Sequence, residues 1–458
     1  MINHTSYLVM QKTRKCLLVG LYLFVFCIAG KHAAYSQTLK DSINTLSLKQ
    51  CIDYALQHQP AVQQTILLKS ITKEANAVNL SGWYPQVGVT VNYNHYLQEP
   101  ISLSNINGVE TPVQTSVVNT AIPGVGVTQN IYNPSLIYVS RIAPLNMKAA
   151  EQSIDSSKID LVTNVSKSFY SLLLVLQQID VLKEDTARLG ESLRTAYHQY
   201  VGGIVDETDY EQAAISLNTS LGQLVQANES LWPQYAMLKQ LMGYPPEKQF
   251  NVAYDSTELL KEININATEQ LRYEKRIEFK QLMVQKKLQS ELTRFYQKTS
   301  IFPTLSAFYN YNATFQNNSF SHLFNTVYPN SIIGLTVSLP IFTGFARIHN
   351  VRRSKFQEKI LDWSEIDLKD NIYTQYATAL ATYRGNLYNM QKMKENVTLA
   401  RRVYFVTDLQ YKQGIVPYLN VITAETNLKT SELTYLNALY QTLSSKIDWQ
   451  KAMGDIVY

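Results

Sequence analysis

Two stretches of this 458-residue chain spell the same plan in the same order. Tyr84-Pro85 leads into Gln86-Val87-Gly88-Val89-Thr90-Val91-Asn92-Tyr93-Asn94, and Phe302-Pro303 leads into Thr304-Leu305-Ser306-Ala307-Phe308-Tyr309-Asn310-Tyr311-Asn312. Residues 124–132 pair with 334–342, Gly203-Ile204-Val205 with Gly414-Ile415-Val416, and Leu241-Met242-Gly243 with Ala452-Met453-Gly454. The second member of each pair follows the first by 210 to 218 residues. Such a repeat decides the architecture before any single element does. Each copy reads helix, strand, strand, long helix, tight turn, helix. The first copy is assigned residues 37–243 and the second 271–458, with 244–270, which hold Pro245 and Pro246, as the linker between them.

The strands are expected at about 84–97 and 119–132, then at about 302–316 and 331–342. Val87, Val89, Val91 and Tyr93 alternate with Gly88, Thr90, Asn92 and Asn94. Alternation of period two gives one apolar and one small or polar face, as a strand between lipid and a wet lumen requires. A half-buried strand of a soluble sheet shows the same alternation. Residues 98–118 and 316–330 are rich in Asn, Ser and Thr and read as outward loops.

The helices are expected at about 46–80, 134–200 and 206–242, then at about 271–300, 345–412 and 417–453. Leu161, Val165, Phe169, Leu172, Leu176 and Ile179 recur at three- and four-residue steps, an amphipathic face. Helices of this length exceed those of ordinary globular proteins and point to a coiled coil or a helical tube.

The N-terminus reads as a signal peptide, residues 1–36. Lys12, Arg14 and Lys15 precede an apolar run over residues 16–30, and Ala34-Tyr35-Ser36 follows with small residues. The run is short for a membrane anchor, which needs about 20 apolar residues. The net charge of +5 includes four cations of this segment, Lys12, Arg14, Lys15 and Lys31, which leaves +1 for the rest. A basic surface for nucleic acid is therefore not expected. Two of the three Cys, Cys16 and Cys27, also lie in the leader, so Cys51 has no disulfide partner.

Four strands cannot close a barrel, and an open edge in lipid leaves unpaired N–H and C=O groups at several kcal/mol each. Closure needs further copies of the chain. A trimer supplies twelve strands and leaves a channel, whereas eight would leave an interior filled by side chains. The expected fold is mainly α with a transmembrane β-barrel, a homotrimer whose 12-stranded barrel continues into an α-helical periplasmic tunnel.

Three motifs carry a family resemblance. They are Leu46-Ser47-Leu48-Lys49-Gln50-Cys51-Ile52-Asp53-Tyr54-Ala55-Leu56 with Gln59-Pro60, the segment from Tyr200 through Gly203-Ile204-Val205 to Asp209, and the segment from Tyr411 through Gly414-Ile415-Val416 to Val421. In this order, and duplicated, they resemble the TolC-like outer membrane efflux proteins over nearly the whole mature length. The resemblance implies a passive outer membrane duct of a tripartite efflux or type I secretion system. It also implies a homotrimer in outer membrane lipid, docked to a periplasmic adaptor and an inner-membrane pump.

Gly203 and Gly414 suit the left-handed backbone of a tight helix end. The apolar Ile204, Val205, Ile415 and Val416 beside them suggest a contact surface, which the resemblance makes the adaptor-docking tips. The resemblance also places a periplasmic gate at Thr208, Asp209 and Tyr411, with a Tyr411-to-Asp209 hydrogen bond expected as the latch. Asn420 and Thr423 stand where some relatives carry an Asp ring, and Val416 where they carry Arg. Weak cation selectivity follows from that departure.

Catalysis finds no support in the sequence. His58, His95, His198, His322 and His349 are isolated, with no metal-ligand partner at helical spacing, and no phosphate-binding loop follows Gly202-Gly203. No cofactor or metal is expected. The competing reading is a pore-less trimeric coiled-coil structural or adhesion protein, which the strand pairs of both copies disfavour. A soluble periplasmic helical bundle is a third. The sequence does not name the cargo.

Overall fold

The computed structural model describes residues 45–106, 108–253, 263 and 270–458. The expected signal peptide lies outside the described residues. In chain order the first copy holds β1 (Thr45–Leu46), α1 (Leu48–His58), α2 (Pro60–Leu80), β2 (Gln86–His95), β3 (Ile101–Ile106), β4 (Val109–Gln114), β5 (Asn119–Tyr132), α3 (Pro134–Val201) and α4 (Glu207–Met242). After β6 (Asn251–Val252), the second holds α5 (Ile277–Arg294), β7 (Thr304–Asn317), β8 (Val327–Ser338), α6 (Ala346–Lys412) and α7 (Tyr418–Met453).

The strands of both copies join in one antiparallel sheet of order β2-β5-β7-β8. The first copy's β5 therefore pairs with the second copy's β7, which leaves β2 and β8 as the edges among the described residues. Paired residues share a face. Val89, Val125, Tyr311 and Ser331 form one row, and Thr90, Gly124, Asn312 and Asn330 the next, on the opposite face. The first face is apolar and bare, with Val87 at 69%, Val89 at 72% and Ile333 at 80% exposure.

Helices α3 and α6 hold 68 and 67 residues, so each runs about 100 Å at 1.5 Å per residue. Asn133 caps α3 by accepting from the N–H groups of Ser135 and Leu136, with Pro134 in the first turn, where its missing N–H is no loss. One 18-residue window of α3 has a mean hydropathy of 1.3, enough by composition for a membrane span, yet 61% of it is buried. α3 packs against α1, α2, α4, α5 and α7. Lys167 Nζ to Asp448 at 2.5 Å and Lys451 Nζ to Asp160 at 2.6 Å tie α3 to α7.

Both copies repeat their backbone as well as their sequence. Gly203 and Gly414 adopt φ of +69° and +72°, and Gly243 and Gly454 adopt +66° and +76°. Each ends a long helix through a bond from the residue after it to a carbonyl five residues back, for example Ile204 N–H to Gln199 and Ile415 N–H to Gln410.

Several boundaries differ from the sequence reading. The helix expected over 46–80 is two helices. Pro60 pushes Gln59 out of the helical region, to φ −66° and ψ 121°, and the Gln59 side chain then caps α2. Ser47 opens α1 with both bonds of a capping box to Gln50. The loop expected over 98–118 contains the β3–β4 hairpin, whose Gly108 turns at φ +87° while Asn105 Oδ1 accepts its N–H at 2.8 Å. The strand expected to reach 342 stops at Ser338, two residues before Pro340. The helix expected over 271–300 is regular only as α5, and a π turn over Phe295–Thr299 follows it. Pro417 is the residue before α7 (φ −72°, ψ 157°) rather than part of its first turn. The expected linker holds β6, which pairs in parallel with β1.

Candidate functional site at the helical tips

At one end of the helical layer four helices meet in a small apolar core. Ala196 from α3, Ala213 from α4, Tyr411 from α6, and Tyr418 and Val421 from α7 are buried together, with Leu193, Tyr210, Tyr404, Val416 and Ile422 packed around them. The tips themselves are the two glycine turns. Ile204 is 72% exposed and Ile415 is 69% exposed. Val205 is half-buried, and Val416 lies against the core. The four expected contact residues thus divide, and only the two isoleucines present their side chains fully to solvent.

The residues expected at the gate divide in the same way. Thr208, Asn420 and Thr423 are exposed. Tyr411 is 4% exposed, its ring 5.2 Å from that of Tyr418. Its hydroxyl makes no hydrogen bond within the chain, to Asp209 or to any other described group. The expected latch is therefore not formed inside one protomer. The two groups nevertheless sense each other: burial, and then the Asp209 charge, push the Tyr411 phenol up to about 12. Asp209 is raised as well, by its own partial burial and then by Asp206.

One level deeper lies a group of charges that the sequence reading did not assemble. Asp185 is fully buried on α3. It accepts from Ser220 Oγ of α4 at 2.7 Å and lies 3.3 Å from Lys429 Nζ of α7 and 3.4 Å from Arg188. Arg188 Nε lies 3.6 Å from Glu425 Oε1, and its guanidinium sits over the Tyr404 ring of α6. Glu425 is 2% exposed, and neither of its oxygens has a hydrogen-bond partner among the described residues. Burial and the Asp185 charge push it up to about 7, while Arg188 and Lys429 hold it back. All four tip helices thus meet at one buried charge cluster. A sequence signal did exist: Leu182, Asp185, Leu189, Ser192 and Ala196 form one helical stripe, as do Val421, Glu425, Leu428, Glu432 and Leu436. A carboxylate inside an apolar stripe must find partners across the interface.

A family model described as outer membrane efflux protein matches residues 51–244 and 296–455, most of the chain. The chain belongs to the outer membrane efflux protein family. Outer membrane protein TolC of Vibrio cholerae is 19% identical over 429 residues, spanning 92% of this chain and 93% of that protein. The fold agrees with solved members. VceC of Vibrio cholerae superposes with a TM-score of 0.68 at 15% identity, over 89% of this chain and 96% of that one. The open state of the MtrE channel of Neisseria gonorrhoeae gives 0.67 at 15% identity, over 89% and 88%. The family consists of channel proteins, and this member is an outer membrane efflux duct with a long helical part on the periplasmic side.

Proposed function

We propose that three copies of this chain close one twelve-stranded barrel and one helical tunnel, which conduct cargo delivered by an inner-membrane pump through a periplasmic adaptor. The open edges carry this reading. Among the described residues β2 and β8 have no partner on their outer sides, they bear an apolar face made for lipid, and a membrane sheet tolerates no open edge. The helices support it. On α6, Phe356, Ile360 and Trp363 are more than 60% exposed, as are Leu67, Leu68 and Ile71, or nearly so, on α2. Such stripes on opposite flanks suit a ring of copies better than a lone protomer.

At the periplasmic end, Ile204 and Ile415 with Gly203 and Gly414 are the proposed adaptor contacts, with Val205 and Val416 setting the turn behind them. Thr208, Asp209, Tyr411, Asn420 and Thr423 are the proposed gate. Within it Tyr411 packs against Tyr418, and the Asp209 charge acts on its buried phenol. Static light scattering of the detergent-solubilised mature protein, followed by planar-bilayer recording, tests the duct. A particle of three protomers with discrete conductance steps is expected. A monomer without conductance would return the reading to a closed helical bundle.

A further inference from the structure

The four barrel strands hold 10, 14, 14 and 12 residues, and none is Asp, Glu, Lys or Arg. This occurs in a chain that is 17% charged overall. The absence is expected on the lipid face, where charge is costly. It is not required on the other face, because a water-filled lumen tolerates charge freely.

That other face carries amides, hydroxyls and glycines, with Ile122, Phe308, Tyr328 and Ile332 among them, and no charged side chain. Thr90, Gly124, Asn312 and Asn330 form one row across the sheet, and Gly88, Gly126 and Asn310 lie in the next row of the same face, which Ile332 completes. Asn312 Nδ2 donates to Asn330 Oδ1 at 3.1 Å. The glycines make room for this lining. A Cβ on Gly126 would lie 2.8 Å from Asn310 Oδ1, and one on Gly124 would collide with the Asn312 side chain. The Asn side chains therefore lie flat over the neighbouring strand and hold the wall smooth. Asn310 and Asn312 are half-buried, while Tyr309 and Tyr311 on the opposite face of the same strand are exposed, as expected if the amide side is the concave one.

We infer that the barrel is a sleeve without fixed charge, lined largely by amide and hydroxyl groups, that passes polar cargo of either sign. A carbonyl oxygen and an N–H₂ on each Asn offer both acceptors and donors, so cations, anions and neutral hydroxyl-bearing solutes meet the same wall. A lumen with rings of carboxylate or ammonium would select one sign. The inference rests on the trimeric duct proposed above.

The test is reversal-potential measurement in a planar bilayer under a potassium chloride gradient, with wild type, Asn312→Asp, Asn312→Lys and the uncharged control Asn312→Thr. In an uncharged sleeve a new ring of charge sets the sign. The Asp variant should raise the potassium-to-chloride permeability ratio by about threefold or more, and the Lys variant should lower it by a similar factor. The Thr variant should match wild type. Thr90→Asp, in the same row, repeats the test where Asn312→Asp fails to assemble. Conducting variants with an unmoved ratio would overturn the inference, as would a Thr variant that shifts it as far as Asp does. Silence of the wild type itself would instead overturn the trimeric duct.

Discussion

Helices α3 and α6 occupy the same place in the two copies and differ by one residue in length, 68 against 67. Their surroundings differ greatly. α3 is buried at intervals from Pro134 to Ala196, whereas α6 buries only Ser354, Ile372, Tyr383, Met390 and Tyr411. The first copy's long helix packs against α1, α2, α4, α5 and α7, whereas the second copy's packs mainly on α5 and α7 and meets α3 through Tyr404 and Tyr411 at the tips. A duplicated sequence has thus produced one helix that is core within the chain and one that becomes core only when another surface covers it. Folding the chain and assembling it are separate problems, assigned to separate copies.

The sharpest way to break this contrast is truncation of one apolar side chain on each helix. Leu172, fully buried on α3, should when changed to Ala destabilise the fold by about 2–5 kcal/mol, seen as a lower urea midpoint of the helical circular-dichroism signal. Trp363→Asp on α6, where the side chain is 72% exposed, should leave the helical content of the isolated chain intact and abolish the three-protomer particle in light scattering. If the Leu172 variant kept the wild-type urea midpoint, or the Trp363 variant lost its helices, the division between the two helices would fail.

A smaller effect sharpens the place where the two copies are bolted together. Glu425 is raised to about 7 by burial and Asp185, so the folded state holds its proton more tightly than the unfolded chain does. Stability therefore falls as pH rises from about 4.5 towards 7, by on the order of 1–3 kcal/mol, and stays low above. Arg188, Lys429 and the carboxylate of Asp408 also act on this group. Glu425→Gln should remove most of that slope and raise the melting temperature at pH 8 more than at pH 5. A variant with the wild-type pH slope would assign the titration elsewhere.

The smallest effect compares the two tips. Gly203→Ala and Gly414→Ala each force a Cβ into the left-handed region, at about 1–2 kcal/mol. Nothing lies within 4 Å of either added Cβ, so the two losses should be equal within about 0.5 kcal/mol by urea denaturation. Unequal losses would show that the tips, unlike the long helices, carry different loads.

Much of this was readable from the letters. The glycines at 203, 243, 414 and 454 announced their positive φ through the repeat, because only a shared backbone need keeps glycine in register over two copies. The strand faces followed from alternation. The β3–β4 hairpin was also legible, in the pair Asn107-Gly108, but the polar composition around it read as loop. Other features could not be seen, since they depend on which helices meet. Asp185 and Glu425 lie 240 residues apart and become one cluster only when α3 and α7 pack. Tyr411 illustrates the same limit: its burial against Tyr418 depends on the hairpin closing, and the absent bond to Asp209 on the actual rotation of α6.

The raw edges of β2 and β8 bear on inheritance. In the proposed wall of three chains, a copy with a spoiled edge damages its neighbours' seams as well as its own. A cell making normal and edge-defective chains in equal amounts would keep only about one-eighth of its ducts free of the defect. Lesions in these two strands should therefore be dominant, and lesions that prevent the chain from folding at all should be recessive.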